Sequence, residues 1–381
     1  MHIGFITPEY PHPELPGSGG LGTSIKNLVG NLIHENIRVS VFVLGTSIEK
    51  DFIENNIHFY FFKTSRFPGF TWYITRIKFQ NTINAIVSKT NIDLLEAPDW
   101  TGITAFMNFN VPLVIRCNGS DAYFCKLEGR KQKWKNRWFE KNALNNADSI
   151  ISASSFTAKK TKEIFNLKKN IQTIYNGVNV NDFRPLDLEQ EPQSILYFGT
   201  IIRKKGVLEL AASFNHLKNR APKAVLTLLG KDSLDIIENR STLEMVMELI
   251  DKQYWKDVIH LAEVPYDNVS KEIAKAQVIV LPSFAEAFPM TWLESMAMEK
   301  AMVTSNIGWA NEMMINGETG YMVDPCDHMD YANKIQLLLN NPNLRKRMGE
   351  KAREQVEKLF SSEVLIKKNI EFYRTEIINN G

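Results

Sequence analysis

Short apolar runs alternate along this chain with longer stretches in which apolar residues recur every three or four positions. His2 to Ile6 is the first such run and predicts a buried strand. Beyond a loop rich in proline and glycine, Ile25, Leu28, Val29, Leu32 and Ile33 line one face of a helix over Thr23 to His34. Val39 to Leu44, with three valines, predicts the next strand, Tyr73 to Ser88 a helix, and Asp93 to Leu95, Leu113 to Ile115, Ile150 to Ser152 and Gln172 to Tyr175 further strands. The phrasing then starts again. Ile195 to Phe198 predicts a strand, Gly199 to Gly206 a loop and Val207 to Leu217 a helix; strands follow at Val225 to Leu229, Val258 to His260, Val278 to Leu281 and Ala301 to Thr304, with helices near Asn268 to Lys275 and Pro289 to Met298. From His328 the chain reads as helical, broken at Asn340 to Pro342 and resuming from Ser362 to about Ile378. Alternation of this kind implies an α/β fold, with parallel sheets covered by helices.

The turn-rich stretch Asn176 to Pro185 and the polar run Leu188 to Gln193 separate two similar halves. The expected organisation is one domain over 1–185, a second over 186–360, and a terminal helix over 361–381 that packs back on the first. The length of 381 residues, with 44% hydrophobic and 23% charged, suits two such cores and excludes a disordered chain. Lys and Arg exceed Asp and Glu by 45 to 43, so no global field attracts nucleic acid and any basic surface must be local. Cys117, Cys125 and Cys326 have neither metal-ligand spacing nor the number for a disulfide framework, which fits a reducing compartment. No stretch approaches the roughly 20 apolar residues of a membrane span. The expected location is cytoplasmic, with peripheral contact to the inner face of the membrane as a further option.

Gly17, Gly19 and Gly22 satisfy a G-x-G-x-x-G pattern. The pattern starts well after the first strand, however, and no acidic residue ends Val39 to Leu44, so a dinucleotide site is disfavoured. Gly19 and Gly20, just before a helix, still permit close backbone approach of an anion to free N–H groups; a surface turn is the plainer reading. The densest chemical signal is Ser283 to Ala297, SFAEAFPMTWLESMA. Glu286 falls just past a strand end, where parallel sheets place ligands, while Glu294 lies inside the helix that Pro289 opens. Each also has an ordinary reading, Glu286 as a helix-start acid and Glu294 as a solvent-facing residue.

The stretch from Glu286 to Glu294 resembles the E-x7-E signature of retaining, nucleotide-sugar-dependent glycosyltransferases of family 4, also called group 1. Gly19-Gly20 resembles that family's N-terminal glycine loop, Ile174 to Pro185 its I-x-N-G-V-D-x-x-x-F-x-P segment, Gly199 to Gly206 its G-R-x-x-x-x-K-G loop, and Asn316 to Pro325 its N/D-G-x-T-G-x-L-V-x-P ending. The likeness runs from residue 3 to about 330. It implies the GT-B fold, two Rossmann-like parallel-sheet domains facing a central cleft, and transfer of sugar with retention from a UDP- or GDP-sugar to a hydroxyl. It further implies that Glu294 accepts from the ribose hydroxyls and that Glu286 contacts the transferred sugar. Lys205 would neutralise the leaving diphosphate, and the backbone near Phe288, Met290 and Thr291 would hold donor hydroxyls or phosphate. Glu312 is a secondary candidate near the nucleotide. No cofactor and no metal are implied, the nucleoside-diphosphate sugar being a substrate; the chain lacks an Asp-x-Asp pair and its seven histidines are scattered.

Two positions depart from the family pattern. Thr200 stands where Arg is common, leaving Arg203 as a substitute phosphate ligand, and Asn118 stands where many relatives place the His that touches the donor sugar. Asn can donate and accept hydrogen bonds but carries no proton or charge; as part of Asn118-Gly119 it also reads as a turn. On the acceptor side, GRKQKWKNRWFEK at 129–141 interleaves Arg130, Lys131, Lys133, Lys135, Arg137 and Lys141 with Trp134, Trp138 and Phe139. That pattern fits either an anionic membrane surface or a solvated helix with one packed aromatic side. Phe59 to Phe79, with Lys63, Arg66, Arg76 and Lys78, is expected to join that surface or to line the acceptor cleft. The leading expectation is an enzyme acting on a saccharide or lipid-linked acceptor in cell-surface polysaccharide or glycolipid synthesis. The alternatives are a soluble transferase making a small glycoside or disaccharide, and a catalytically weak sugar-nucleotide-binding subunit; a hydrolase would require a specific separation of its two carboxyls.

Overall fold

The structure, a computed structural model, describes residues 1–63 and 71–380. The chain divides into two compact units, Met1–Gly177 with Ser362–Gly381, and Val178–Ser361. Each is a Rossmann-like domain built on a largely or wholly parallel sheet. The division falls inside the turn-rich segment.

The first unit contains β1 (His2–Thr7), α1 (Gly20–His34), β2 (Arg38–Thr46), β3 (Lys50–Glu54), β4 (Ile57–Lys63), α2 (Thr71–Thr90), β5 (Leu94–Pro98), β6 (Leu113–Cys117), α3 (Asp121–Leu127), α4 (Trp134–Asn146), β7 (Ser149–Ser152), α5 (Ser155–Phe165) and β8 (Ile171–Thr173). The strands form one sheet in the order β3-β4-β2-β1-β5-β6-β7-β8. Every residue of β1 is buried, because a strand covered on both faces has no polar side. Ile3 and Phe5 pack with Val29 and Leu32 of α1 on one face, while Ile6 joins Phe42, Leu95 and the α2 residues Phe79, Ile83 and Val87 on the other.

The aromatic segment beginning at Phe59 corrects an expectation. Phe59, Tyr60, Phe61 and Phe62 are buried in β4, which pairs antiparallel with β3 through a turn whose Asn55 and Asn56 are both left-handed, at φ 50° and 63°. Those rings belong to the core and not to an acceptor surface. Residues 64–70, including Arg66, lie outside the described residues. Arg76 is spent on packing: its guanidinium lies 4.4 Å from the Phe139 ring centre and donates to the Gly102 carbonyl at 3.3 Å.

The second unit contains β9 (Ser194–Phe198), α6 (Val207–Lys218), β10 (Val225–Leu229), α7 (Thr242–Leu249), β11 (Val258–Leu261), α8 (Tyr266–Lys275), β12 (Val278–Leu281), α9 (Met290–Ala297), β13 (Met302–Ser305), α10 (Ala310–Met313), β14 (Tyr321–Val323), α11 (His328–Asn340) and α12 (Pro342–Leu359). Its sheet has the order β11-β10-β9-β12-β13-β14, all parallel. Pro342 opens α12 at a position where a missing N–H removes no helical bond.

The last helix, α13 (Ser362–Asn380), belongs to the first unit. Its Ile366, Ile370, Phe372 and Tyr373 enter the same core cluster as α1 and β1. Beneath it lies a buried polar network. Arg116 grips Glu96 through Nε to Oε1 at 2.7 Å and a terminal nitrogen to Oε2 at 3.0 Å, and also reaches Asn369 Oδ1 at 2.6 Å. Tyr373 donates to Glu96 Oε2 at 2.6 Å. Burial opposes the charge of Arg116, but Glu96 and Tyr373 beside it hold the guanidinium protonated. No described helix is long and apolar enough to cross a membrane.

Candidate functional site

Strand order locates the crevice in each sheet. In the second unit β9 is followed in sequence by β10 on one side, whereas β12 returns on its other side, so the loops after β9 and β12 diverge at a topological switch point. Those two loops, with α9 that follows the second, carry most of the sequence candidates. The first, Gly199 to Gly206, leaves β9 with Ile201 fully buried and its N–H bonded to the Lys231 carbonyl at 2.9 Å. Tyr197, buried at the end of β9, donates its hydroxyl to the Thr200 carbonyl at 2.7 Å; burial and the neighbouring Glu286 charge keep that phenol protonated. Thr200 itself is exposed.

The loop closes in a short 3-10 turn, Arg203–Lys205, and passes through Gly206 at φ 72°, where a Cβ would stand 2.1 Å from the Pro282 carbonyl oxygen. Only glycine allows this approach. The Phe284 N–H in turn bonds to the Lys204 carbonyl at 2.8 Å, so the two loops are joined backbone to backbone. Lys205 Nζ consequently lies 2.5 Å from Glu286 Oε1, and Ser283 Oγ donates to the same oxygen at 3.0 Å. The pair is mostly shielded, with 19% of the Lys205 and 12% of the Glu286 side chain exposed.

α9 follows directly. No side chain caps its start at Pro289, so the first-turn N–H groups of Met290 and Thr291 point out of the helix without a side-chain acceptor there. Phe288 is buried, its ring 5.4 Å from that of Phe360, which leaves only its backbone for a ligand. Glu294 is buried on α9, contrary to its solvent-facing reading, and Glu312 is half-buried on α10. Arg203 differs from expectation. Its guanidinium holds Asp235 at 2.7 and 3.1 Å and Glu238 at 3.3 Å. The Asp235 carboxyl, hydrogen-bonded to Arg203, is pulled down to about 2. A guanidinium so engaged ties the loop to its neighbour through Nε and one terminal nitrogen.

In the first unit the switch point lies between β1 and β5, with β2 on the far side of β1. Gly19 and Gly20 stand there at the start of α1, together with a residue that sequence reasoning missed. Glu9 accepts from the N–H groups of Gly19 at 3.0 Å and Gly22 at 2.8 Å through one oxygen, supplying the anion that the helix start favours. A Cβ on Gly20 meets nothing within 4 Å. Asn118, just past β6, donates its N–H to Asp99 Oδ1 at 3.0 Å, and its own buried Oδ1 has no partner among the described residues. Asp99 is the second missed residue. Burial and the nearby Glu140 push its carboxyl up to about 8, against the N–H groups of Asn118 and Gly119. Both Glu9 and Asp99 lie just beyond central strand ends, and that position was the available signal.

Comparison with known proteins agrees with this arrangement. Residues 179–355 match the model for glycosyl transferases group 1 and residues 18–182 that for glycosyltransferase family 4. An uncharacterized glycosyltransferase of Methanocaldococcus jannaschii is 26% identical over 353 residues, covering 90% of this chain and 91% of that protein. Among solved structures, sucrose-phosphate synthase from Thermosynechococcus elongatus superposes with a TM-score of 0.83 at 21% identity over 100% of both chains. HepE of Anabaena in complex with UDP-glucose gives 0.75 at 16% identity over 98% of this chain and 100% of that one. Two Rossmann-like domains of GT-B type, each matched by its own family model, make the chain a member of the group 1 glycosyltransferases.

Proposed function

We propose that the protein is a retaining, metal-independent glycosyltransferase that moves a sugar from a UDP- or GDP-sugar to a hydroxyl of a saccharide or lipid-linked acceptor. The observation that carries this reading is the Lys205–Glu286 contact at the switch point of the second sheet, beside the uncapped start of α9. Lys205 faces the diphosphate and offsets the negative charge that grows as it leaves, an interaction stronger in the transition state than in the ground state. Glu286 orients the transferred sugar, Glu294 accepts from the ribose hydroxyls, and the N–H groups of Met290 and Thr291 hold donor oxygens. The open Oδ1 of Asn118 is an acceptor for a sugar hydroxyl. In the reaction the bond from anomeric carbon to phosphate oxygen breaks, the acceptor oxygen bonds to that carbon on the same face, and its proton passes to the departing diphosphate. The UDP-glucose bound by HepE supports a uridine donor. The exposed basic and aromatic residues of 129–141 support an acceptor held at an anionic membrane surface, in polysaccharide or glycolipid synthesis, with the protein on its cytoplasmic side.

The test is a donor screen of purified protein, reading nucleoside diphosphate release from UDP-, GDP- and ADP-sugars with a panel of acceptors. A UDP- or GDP-sugar is expected to turn over, and Glu286→Gln to lower kcat by about 100-fold or more with little change in nucleotide affinity. Tight nucleotide binding without turnover of any donor would favour a binding subunit. Unchanged turnover in Glu286→Gln would remove that residue from the mechanism.

A further inference from the structure

At the opposite edge of the second sheet from Lys205 and Glu286 lies a cavity of about 260 Å³ with Gln190, Gln277, Glu299, Lys300, Arg345 and Lys346 as its polar lining. Gln277 and Ala301, which also lines it, directly precede β12 and β13, so the cavity adjoins strand starts rather than strand ends. Lys300 is 6% exposed. Its Nζ donates to the carbonyls of Ala274 at 2.6 Å and Ala276 at 2.9 Å, which fixes the ammonium at the end of α8 and uses two of its three donors. Arg345 donates through Nη1 to the Leu338 and Leu339 carbonyls at 2.6 and 2.8 Å, at the end of α11; its Nε and Nη2 have no partner among the described residues. These carbonyls hold the two cations in place but carry no full charge to neutralise them. Glu299 pairs with Arg353 at 3.9 Å, and Lys346 with Glu350 at 3.9 Å on the exposed side of α12. Asp187, Glu189 and Glu191 on the adjoining segment are exposed, and among the described residues none forms an ion pair with Lys300 or Arg345. Burial, with the Arg345 charge second, pulls Lys300 down to about 8, which leaves it charged at neutral pH; burial also lowers Arg345. No described carboxylate opposes either shift.

α12 adds to the imbalance. Its first residue, Pro342, lines the cavity. The first turn holds no acidic residue, Asn341 gives no side-chain cap, and Arg345, Lys346 and Arg347 follow in the next turn. A helix start carries partial positive charge and favours anions, so these consecutive cations oppose the helix dipole as well as Lys300. Only an anion from outside the chain offsets such a group. A guanidinium with free forked donors, an ammonium held at a fixed point and a helix start together match a tetrahedral dianion better than a planar carboxylate. Lys300 is too deeply buried to meet the backbone of a nucleic acid or the flat acidic face of another protein. Leu186 and Leu188, on the same cavity, suit the carbon skeleton of a small ester. We infer that the cavity lined by Lys300, Arg345 and Lys346 is a second ligand site, which seats the phosphate of a small phosphate monoester.

Titration calorimetry with glycerol 3-phosphate tests the assignment, on wild type and on Lys205→Gln, whose donor crevice lacks its cation. Both are expected to bind the ester at this cavity with the same affinity. Arg345→Gln/Lys346→Gln is expected to weaken that binding by about tenfold or more. Circular dichroism checks that the variants are folded; Lys346→Gln alone, at an exposed position, is expected to show a smaller loss and serves if the double variant does not fold. Unchanged affinity in the folded cavity variant would overturn the assignment, as would the absence of binding by wild type at millimolar ester. Loss of binding in Lys205→Gln, with retention in Arg345→Gln/Lys346→Gln, would place the ester in the donor crevice and overturn the second site without touching the transferase reading. Displacement by inorganic phosphate but not by acetate at equal ionic strength is the expected competition. Equal displacement by acetate would show a site for anions in general and overturn the phosphate assignment.

Discussion

Asp99 shows how far a single residue can be set by its surroundings. Its burial, reinforced by Glu140, favours the protonated form up to about pH 8, whereas an exposed aspartate in the unfolded chain loses its proton near pH 4. Between these values the folded state binds a proton that the unfolded state does not, so this group makes stability fall as pH rises through that window. Glu140, pushed up to about 7 chiefly by burial, acts in the same direction over a narrower range. Thermal unfolding followed from pH 4 to 8 is therefore expected to show a shallower decline for Asp99→Asn than for wild type, the remaining slope including the part due to Glu140. Equal slopes would mean that Asp99 is ionised in the folded protein. Nothing in the sequence announced this. Asp99 reads as an ordinary loop acid until the sheet places it at a central strand end over a buried carboxylate. Glu286 and Lys205 were legible because each sits in a stretch with its own spacing pattern, whereas for Arg203 the sequence shows a charge in that loop but not Asp235 across from it.

Among the elements, the loop between β9 and α6 depends on one conformation at one position. Gly206 combines a left-handed backbone with a carbonyl where its Cβ would be, so Gly206→Ala must move the β12 loop or unwind the turn that presents Lys205. The expected result is a loss of roughly 2 kcal/mol or more, measured by urea unfolding, together with weaker turnover, since the Lys205–Glu286 contact depends on the same two loops. Full stability in this variant would show that the loops are independent. Most strands were readable in advance because a central parallel strand is largely apolar on both faces, which gives the near-continuous runs at β1, β2, β10 and β12. The β3–β4 hairpin was not. Its strands are rich in aromatic side chains, and the Asn55-Asn56 turn that joins them is a weaker signal than Asn-Gly; the ring-rich segment consequently reads as part of a surface or as a lining of the acceptor cleft.

For the molecule as a whole, the first unit is assembled from two segments far apart in the chain. α13 contributes apolar side chains to the core shared by α1 and β1 and closes the network of Glu96, Arg116, Asn369 and Tyr373. Replacing Arg116 by Met leaves Glu96 buried without its cation, a change expected to cost about 3–5 kcal/mol. Tyr373→Phe, which removes the hydroxyl that donates to Glu96 and accepts from Arg116, is expected to cost about 2 kcal/mol. Calorimetry would separate the cases: loss confined to one transition of two would place the damage in the first unit, and an unchanged thermogram for the Arg116 variant would show that the network contributes no stability.

The discontinuity also has a temporal side. Arg116 and Tyr373 are 257 positions apart, and at bacterial or eukaryotic elongation rates that interval is on the order of tens of seconds. Throughout it the nascent chain carries a finished β6 and a charged Arg116 with two of its three side-chain partners, Asn369 and Tyr373, still unsynthesised, while the whole of the intervening unit can emerge and fold. The domain begun first is thus completed last, and until the stretch around Tyr373 leaves the ribosome its exposed groove between α1 and the sheet is a place for a chaperone to hold.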